Sequence, residues 1–516
     1  MSRTYPGEKD ITPRKLPAKD RRLRIALVYP DSYFTGMSNL GVQAVWGLIR
    51  ERTPYEADLF FFTPELGLHR HSADAQAHTR VSLRDYDLIA FSFPYEPLYA
   101  NMLAALKAGG VGLRPSERIG APIIVAGGYA VTANPMPIAD FVDVAFIGEA
   151  EEAFPPFLDA VLAKLSALKS PQGMQARDEL LKEWHGRAGF FCPNIGADVS
   201  VMRRAMVADL SQWDTVSRIV ARNTVFANRM LMQTSRGCGA GCAFCLAGHI
   251  TRPLRHLPTD EFMRRAHLAD GVTDRIGIIA AAPTDHPHIT DIARELAAAK
   301  FKPSFSSLKL AALTDELVRI LIKGGQQTFT IAPEVLDEEH RKIIRKPFPT
   351  NAAILAHVRR LKALRIIKLK FYFMLGFDFE DDAYLRALGE WLTELDAELH
   401  AGETNHHQST GFAFSFFVPK AQTPLELAPM QPIVELERRK SLVKKHYHGR
   451  GGLSFESAQG SLLQERLSRG GREASALVEY LAQHGMRASS VKAALQAFGV
   501  EAAAASPVRA WPALTH

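Results

Sequence analysis

Cysteine is scarce in this sequence, four in 516 residues, and three of the four fall between positions 238 and 245. So few thiols, so unevenly spread, exclude a disulfide framework. Long hydrophobic runs are also missing. None approaches the ~18 residues of a membrane-spanning helix. The opening residues, Met1 to Glu8, have no apolar core of the kind a secretory leader carries. The expectation is therefore a cytoplasmic protein with no membrane span. No internal repeat, zinc knuckle or RNA-binding module is present. Charge of either sign is nearly balanced, with 62 Lys and Arg against 55 Asp and Glu and a net charge of +7. That small excess admits an anionic partner, nucleic acid included, but selects none.

The rest of the composition is ordinary for a globular protein, 47% hydrophobic and 23% charged. A chain of this length suggests two to four domains. Its most informative stretch is Cys238-Gly-Ala-Gly-Cys242-Ala-Phe-Cys245. Three thiolates this close fit three corners of an iron–sulfur cube, and one iron is then left open to another ligand. A closed zinc site would need a fourth donor, for which His249 is the nearest histidine. A redox dithiol and unligated thiols are the remaining readings. The fourth cysteine, Cys192, lacks ligand spacing and reads as a buried thiol.

Around this stretch the chain alternates. A polar arm covers residues 1–23. Strands are expected at Leu23–Tyr29, Ala57–Phe61, Asp87–Phe91, Pro122–Gly128 and Phe141–Ile147, and helices at Val42–Arg50, Leu98–Ala108 and Glu149–Leu168. This predicts a doubly wound, Rossmann-like parallel sheet over 24–168, with ligands at the carboxyl ends of its strands. A bridge spans 169–227. Six β/α units follow over 228–427, two short of a closed eight-stranded barrel. Their strands are Met230–Thr234, Arg275–Ala281, Pro303–Leu308, Gln327–Ile331, Lys368–Leu375 and Gly411–Val418. A helical region, 428–516, completes an α/β protein. It opens on a basic helix, Ile433–Tyr447, of a kind more often solvated than bound to nucleic acid.

The spacing C-x3-C-x2-C, with Phe244 just before the last cysteine, resembles the signature of radical S-adenosylmethionine (radical SAM) enzymes. The resemblance implies that Cys238, Cys242 and Cys245 hold a 4Fe–4S cluster whose open iron chelates S-adenosylmethionine. One electron then cleaves the sulfonium to give a 5′-deoxyadenosyl radical. It also implies an electron donor such as flavodoxin or ferredoxin, and an open partial (β/α)6 barrel of TIM type. Phe244 would lie near the adenine. Ser307, with Ser306, matches a polar position facing the ribose. Glu334, in Ala332-Pro-Glu334, matches an acid near the sugar and amino group. Gly376 matches a strand-five position that lets the adenine approach. Lys420 would point at the barrel mouth. His249, Arg252, Arg255, His286 and His288 are candidate anion or substrate contacts. Where many relatives carry a glycine-rich turn ending in an acid, Thr284 and Asp285 stand instead.

The first domain resembles the cobalamin-binding domain that many radical SAM enzymes carry. Its loop reads Asp31-Ser-Tyr33-Phe-Thr-Gly36 where established cobalamin carriers have Asp-x-His-x-x-Gly. Tyr33 thus stands where they place the histidine beneath cobalt. Gly127 and Gly128 match the pair that admits the nucleotide tail. Two functional readings follow. One is a cobalamin-assisted radical methyltransferase that draws its methyl group from methylcobalamin. The other is a cobalamin-independent radical SAM oxidoreductase or RNA- or protein-modifying enzyme with a degenerate first domain. The substrate is not legible.

Overall fold

The computed structural model describes residues 2–3, 7–11, 22–71, 82–401 and 408–499. Most of the polar arm and the end of the alanine-rich tail lie outside the described residues. Strands β1 (Arg24–Tyr29), β2 (Glu56–Thr63), β3 (Gly67–His71), β4 (Leu88–Ser92), β5 (Ile123–Gly127), β6 (Val144–Phe146) and β7 (Phe190–Phe191) form the first sheet. Its order is β3-β2-β1-β4-β5-β6-β7, and Ser2–Arg3 pairs with the outer edge of β3. The five strands from β2 to β6 are parallel, whereas β3 and β7 run antiparallel at the margins. Chain order reverses between β1 and β4, and that switch opens a crevice at the carboxyl ends.

The second sheet system holds β8 (Met230–Gln233), β9 (Arg275–Ile279), β10 (Lys302–Phe305), β11 (Thr328–Glu334), β12 (Lys368–Leu375), β13 (Ser409–Phe416) and β14 (Gly452–Phe455). All pairings are parallel, in two arcs, β8-β9-β10 and β11-β12-β13-β14. Between the arcs the Gln326 side chain stands in for a ladder. Its Oε1 accepts from the Phe305 amide at 2.9 Å, and its Nε2 donates to the Thr328 carbonyl at 3.1 Å. Phe329, Ile331, Leu369, Phe371 and Phe373 face outward into one core with the surrounding helices. The six expected barrel strands are all present.

The structure adds β14, a seventh strand, inside the stretch expected to be helical. Its Gly-Leu-Ser-Phe sequence is too short to show a period, and only the edge of β13 recruits it. Helices Ala458–Arg469 and Ser475–His484 follow. They return to the first sheet, where Leu467, Leu477 and Leu481 join the core of Leu103 and Phe141. In the basic helix Ile433–His446, Arg438, Arg439 and Lys440 are paired to Glu435, Glu380 and Glu437.

Candidate active site

The cysteine loop hangs from the carboxyl end of β8. Ser235–Arg236 pairs antiparallel with Arg255–His256, which closes the loop at its base. Gly237 has φ +89°, and a Cβ there would sit 2.5 Å from the Pro253 carbonyl oxygen, so only glycine fits. Farther along, the Ala243 amide donates to the Ile344 carbonyl at 2.9 Å, and the Ala243 carbonyl accepts from the Leu425 amide at 3.2 Å. The loop is thus bound to the segments beyond β11 and β13. Cys242 is buried, and Cys238 and Cys245 are half-buried.

The three thiols lie close enough to perturb one another. Burial pushes the Cys242 thiol up to about 11. The Lys346 ammonium opposes that shift, and Cys245 and Cys238 add to it. Burial also raises Cys245, against the pull of the Gly248 amide. Mutual repulsion of this kind is relieved by a bound cation. Among the described residues, no three His, Cys, Asp or Glu side chains converge on a point suited to a single metal ion. A cluster takes its thiolates at separate irons and does not require such convergence. His249 is turned away from the sulfurs, its Nε2 donating to the Cys242 carbonyl at 2.9 Å. Cys192 is fully buried in the first domain's core.

Phe244 packs against Val335, Ile344, Met374, Phe377 and Phe417. Glu334 ends β11 after a break in register, with φ 70°, a conformation that costs a non-glycine residue energy. Its carboxylate meets Lys346 Nζ at 2.9 Å. The same ammonium stands 6.0 Å from the Phe244 ring centroid. Sequence reasoning missed Lys346, because Arg341-Lys-Ile-Ile-Arg-Lys346 resembles the basic end of a solvated helix.

Gly376 has φ +117°, and its amide donates to Glu380 Oε2 at 2.7 Å. Arg439, from the basic helix, donates to the same oxygen at 2.8 Å and to the Phe377 carbonyl at 2.6 Å. Glu380 and Arg439 therefore fix the turn at Gly376. Fifty-nine positions separate this pair in sequence, so no local pattern joins them.

Other expected contacts lie elsewhere. Ser306 lines the central cavity, whereas Ser307 is exposed beside it. Lys420 does not reach the mouth. It is half-buried, with Nζ 2.7 Å from Glu96 and 2.9 Å from Ser468 Oγ. There it joins the first sheet, the barrel and the last helices. Asp285 pairs with Lys309 at 2.5 Å. His286 is buried, its Nε2 donating to the Leu257 carbonyl, and His288 is near Asp291 on the surface. Arg255 is held by Glu149 at 2.7 Å, and Arg252 lies over Gly241.

The central cavity, about 510 Å³, opens between the carboxyl ends of both sheets. On one side it runs between Leu27, Ala90 and Val125 of the sheet and Ala44, Val45 and Leu48 of helix Leu40–Arg52. On the other it reaches Gln233, Ile279 and Ser306 at the barrel rim. Gly127 and Gly128 line it. Asp31, Tyr33 and Gly36 are not on its wall. Tyr33 packs edge-on to Phe61 in the core behind β1, its hydroxyl donating to Glu8. Gly36 is buried against the Phe61 and Tyr29 rings. The aromatic content of β2 draws Tyr33 inward, which corrects its expected place beneath a cofactor.

Charged residues join the two sides. Arg236, two positions before Cys238, meets Glu149 at 2.9 Å and Glu151 at 2.8 Å, both just beyond β6. Tyr129 stands beside them and is 45% exposed, with its free surface toward the cavity. That enclosure raises its phenol; Arg236 opposes the shift, and Glu149 and Cys245 add to it.

Two family models match the chain. One, for radical SAM proteins, N-terminal, covers residues 41–193, and the other, for the radical SAM superfamily, covers 232–392. The chain belongs to the radical SAM superfamily. The 4Fe–4S cluster and S-adenosylmethionine are the cofactors this membership implies. An uncharacterized protein of Methanocaldococcus jannaschii is 25% identical over 460 residues, covering 87% of this chain and 89% of its own. Among solved structures, the fold is similar to the radical SAM methyltransferase TsrM from Kitasatospora setae, solved with cobalamin and a 4Fe–4S cluster. The TM-score is 0.52 at 13% identity, over 80% of this chain and 78% of that one. It is also similar to the cobalamin-dependent radical SAM enzyme OxsB with aqua-cobalamin bound. There the TM-score is 0.50 at 14% identity, over 92% and 71% of the two chains. At such identities the likeness is one of fold. No helix among the described residues is long and apolar enough to cross a membrane.

Proposed function

We propose that this chain is a cobalamin-assisted radical SAM enzyme that transfers a methyl group. In this reading Cys238, Cys242 and Cys245 hold the 4Fe–4S cluster, and the cavity between the sheets holds cobalamin. The cluster supplies one electron to S-adenosylmethionine, and cobalamin supplies a methyl carrier. The observation that carries the reading is the cavity. It combines an apolar slot under the switch point with an opening at the barrel rim beside the cysteine loop. A slot walled by Leu27, Ala44, Val45 and Ala90 suits the flat apolar part of a nucleotide tail. Glu334 and Lys346 present one charge of each sign beside the cysteines, a match for the ammonium and carboxylate of S-adenosylmethionine. Phe244 and the Gly376 turn offer an apolar face for adenine.

The orientation of Tyr33 bears on how cobalamin binds. The slot receives no donor from Asp31–Gly36, so the lower face of cobalt should have no ligand from that loop. The same packing supports the second reading, a cobalamin-independent enzyme with a degenerate domain.

One experiment separates the two readings. The full chain is reconstituted anaerobically with iron, sulfide and hydroxocobalamin, then reduced with S-adenosylmethionine present. The methyltransferase reading expects one cobalamin per chain, 5′-deoxyadenosine and methionine among the products, and a cob(II)alamin electron paramagnetic resonance signal without nitrogen superhyperfine splitting. Deoxyadenosine without bound cobalamin would favour the second reading. S-adenosylhomocysteine alone would defeat both.

A further inference from the structure

The interior of a closed eight-stranded barrel is a packed core, but the interior of this open barrel is polar. Leu369, Phe371 and Phe373 of β12 point outward. Alternation along the strand then gives Lys368, Lys370 and Tyr372 to the lumen. Tyr372 is 41% exposed there, and Lys370 Nζ stands 4.8 Å from its ring centroid. Across the sheet, Lys370 is in register with Thr330 on one side and with Gly411 and then Gly452 on the other. A Cβ on Gly452 would meet nothing within 4 Å, and one on Gly411 would come no nearer than 3.7 Å to Lys368. The lysine therefore borders open space. Among the described residues it has no carboxylate partner.

The opposite arc has the same character. Arg229 extends along Gly277, its Nε donating to Ser304 Oγ at 3.1 Å and its Nη1 to the Ala227 carbonyl at 3.3 Å. It too lacks a carboxylate partner among the described residues. The Glu334 carboxylate near the mouth is already paired with Lys346. The part of the lumen around Lys370 and Arg229 presents cations and hydroxyls without a paired carboxylate, a lining that favours anions.

We propose that Lys370, flanked by Thr330 and Tyr372, binds an anionic group of the substrate, a phosphate or a carboxylate. Glu334 is opposite Phe373, three residues beyond Lys370, so the anion would bind about 10 Å below the S-adenosylmethionine site. The substrate is then an elongated polar molecule whose reacting carbon is separated from its anionic end by that length. This inference rests on the radical SAM reading for its geometry but not for its test.

The test is competitive lysine labelling of the reconstituted full chain. Trace acetic anhydride is applied at fixed ionic strength while inorganic pyrophosphate or succinate is titrated in, and each lysine is read by peptide mass spectrometry. Lys370 acetylation should fall saturably, by about tenfold once the anion exceeds its dissociation constant by that factor. Pyrophosphate and succinate distinguish phosphate from carboxylate. Lys182, exposed on helix Gly173–Trp184, should keep its labelling rate. A Gly411→Val variant, which fills the space beside Lys370, should lose the protection while Lys370 still labels. If Lys370 follows Lys182 with both anions, the proposal is overturned. Deoxyadenosine is assayed in the same preparation. Its absence with protection intact would defeat the enzyme reading alone, and its presence without protection would defeat the anion site alone.

Discussion

Two loops begin the two halves of this molecule, and they differ in how their chemistry is encoded. The loop after β8 encodes its chemistry in side chains. Three thiols at fixed spacing lie close enough to perturb one another, and the loop backbone is bound to Ile344 and Leu425. The loop after β1 has a comparable pattern of spacing, but its tyrosine packs behind the sheet against Phe61. The apolar slot of the cavity at that end is walled instead by Gly127, Gly128, Ala44, Val45 and Ala90, with charged side chains such as Glu149 and Arg236 toward the barrel. A motif of reactive groups survives transfer from sequence to structure. A motif of spacing survives only if the neighbouring core leaves its key side chain outside.

The strongest way to break this comparison is at the thiols. Replacing Cys238, Cys242 and Cys245 together by Ala should abolish the cluster. Cys192→Ala should keep it, because Cys192 is buried in a different core. Iron per chain and the visible absorption of the cluster decide the matter. Four irons retained by the triple variant would remove the ligand assignment.

The glycine pair tests the other loop. Gly128 has φ +107°, and a Cβ there would lie 2.5 Å from the Phe93 carbonyl oxygen. At Gly127 the nearest atom would be Phe146 Cβ at 3.5 Å. Gly128→Ala should therefore destabilise the first domain by about 2–3 kcal/mol, read as a lowered urea midpoint. Gly127→Ala should cost little stability and weaken cobalamin binding by occupying the slot. Equal stability losses at both positions would mean that the pair serves the fold and not a ligand.

How much was legible follows the same division. The parallel strands β1, β2, β4, β5, β6 and β8 to β13 could be read because they are apolar or alternating runs, β12 above all, whereas the marginal strands β3 and β7, both antiparallel, were not expected. β14 could not, since four residues at a sheet edge show no period. The cysteines declared themselves. Lys346, Glu380 and Arg439 did not, because their partners are distant in sequence and their own neighbourhoods look like ordinary charged helix. Ser306 and Ser307 lie just beyond the end of β10, so strand alternation does not decide which of them faces the cavity; Ser306 is on its wall.

Glu380 gives a pH-dependent test of that hidden layer. Burial pushes its carboxyl up to about 7, and the Gly376 amide and Arg439 do not offset it. The cause is structural, since Oε1 is buried without a donor. The fold therefore favours the protonated form. Its stabilising contribution is complete below the ordinary carboxyl value of 4.5 and is lost as pH rises toward 7. Thermal unfolding should lose on the order of 3 kcal/mol from this group across that window. Glu380→Gln keeps an acceptor for Gly376 and should flatten the profile. An unchanged slope would assign the pH dependence to other groups.

The smallest effect belongs to Tyr33, and it sharpens the comparison most. Its hydroxyl donates to Glu8, whose other oxygen meets His71 Nε2 at 2.8 Å. The phenol thus helps dock the segment before β1 onto the first sheet, and its ring fills the core beside Phe61. Tyr33→Phe keeps the ring and removes one hydrogen bond to a charged acceptor, a loss of about 1–2 kcal/mol. If the cavity holds cobalamin without help from this loop, the variant should bind hydroxocobalamin with unchanged affinity, and its cob(II)alamin spectrum should match that of the parent. Tyr33→His is the complementary change. A histidine confined behind β1 cannot reach the cavity, so no nitrogen splitting should appear. Splitting in that variant would mean that the loop can turn outward, and the resemblance to cobalamin carriers would then extend to the position of the ligand itself.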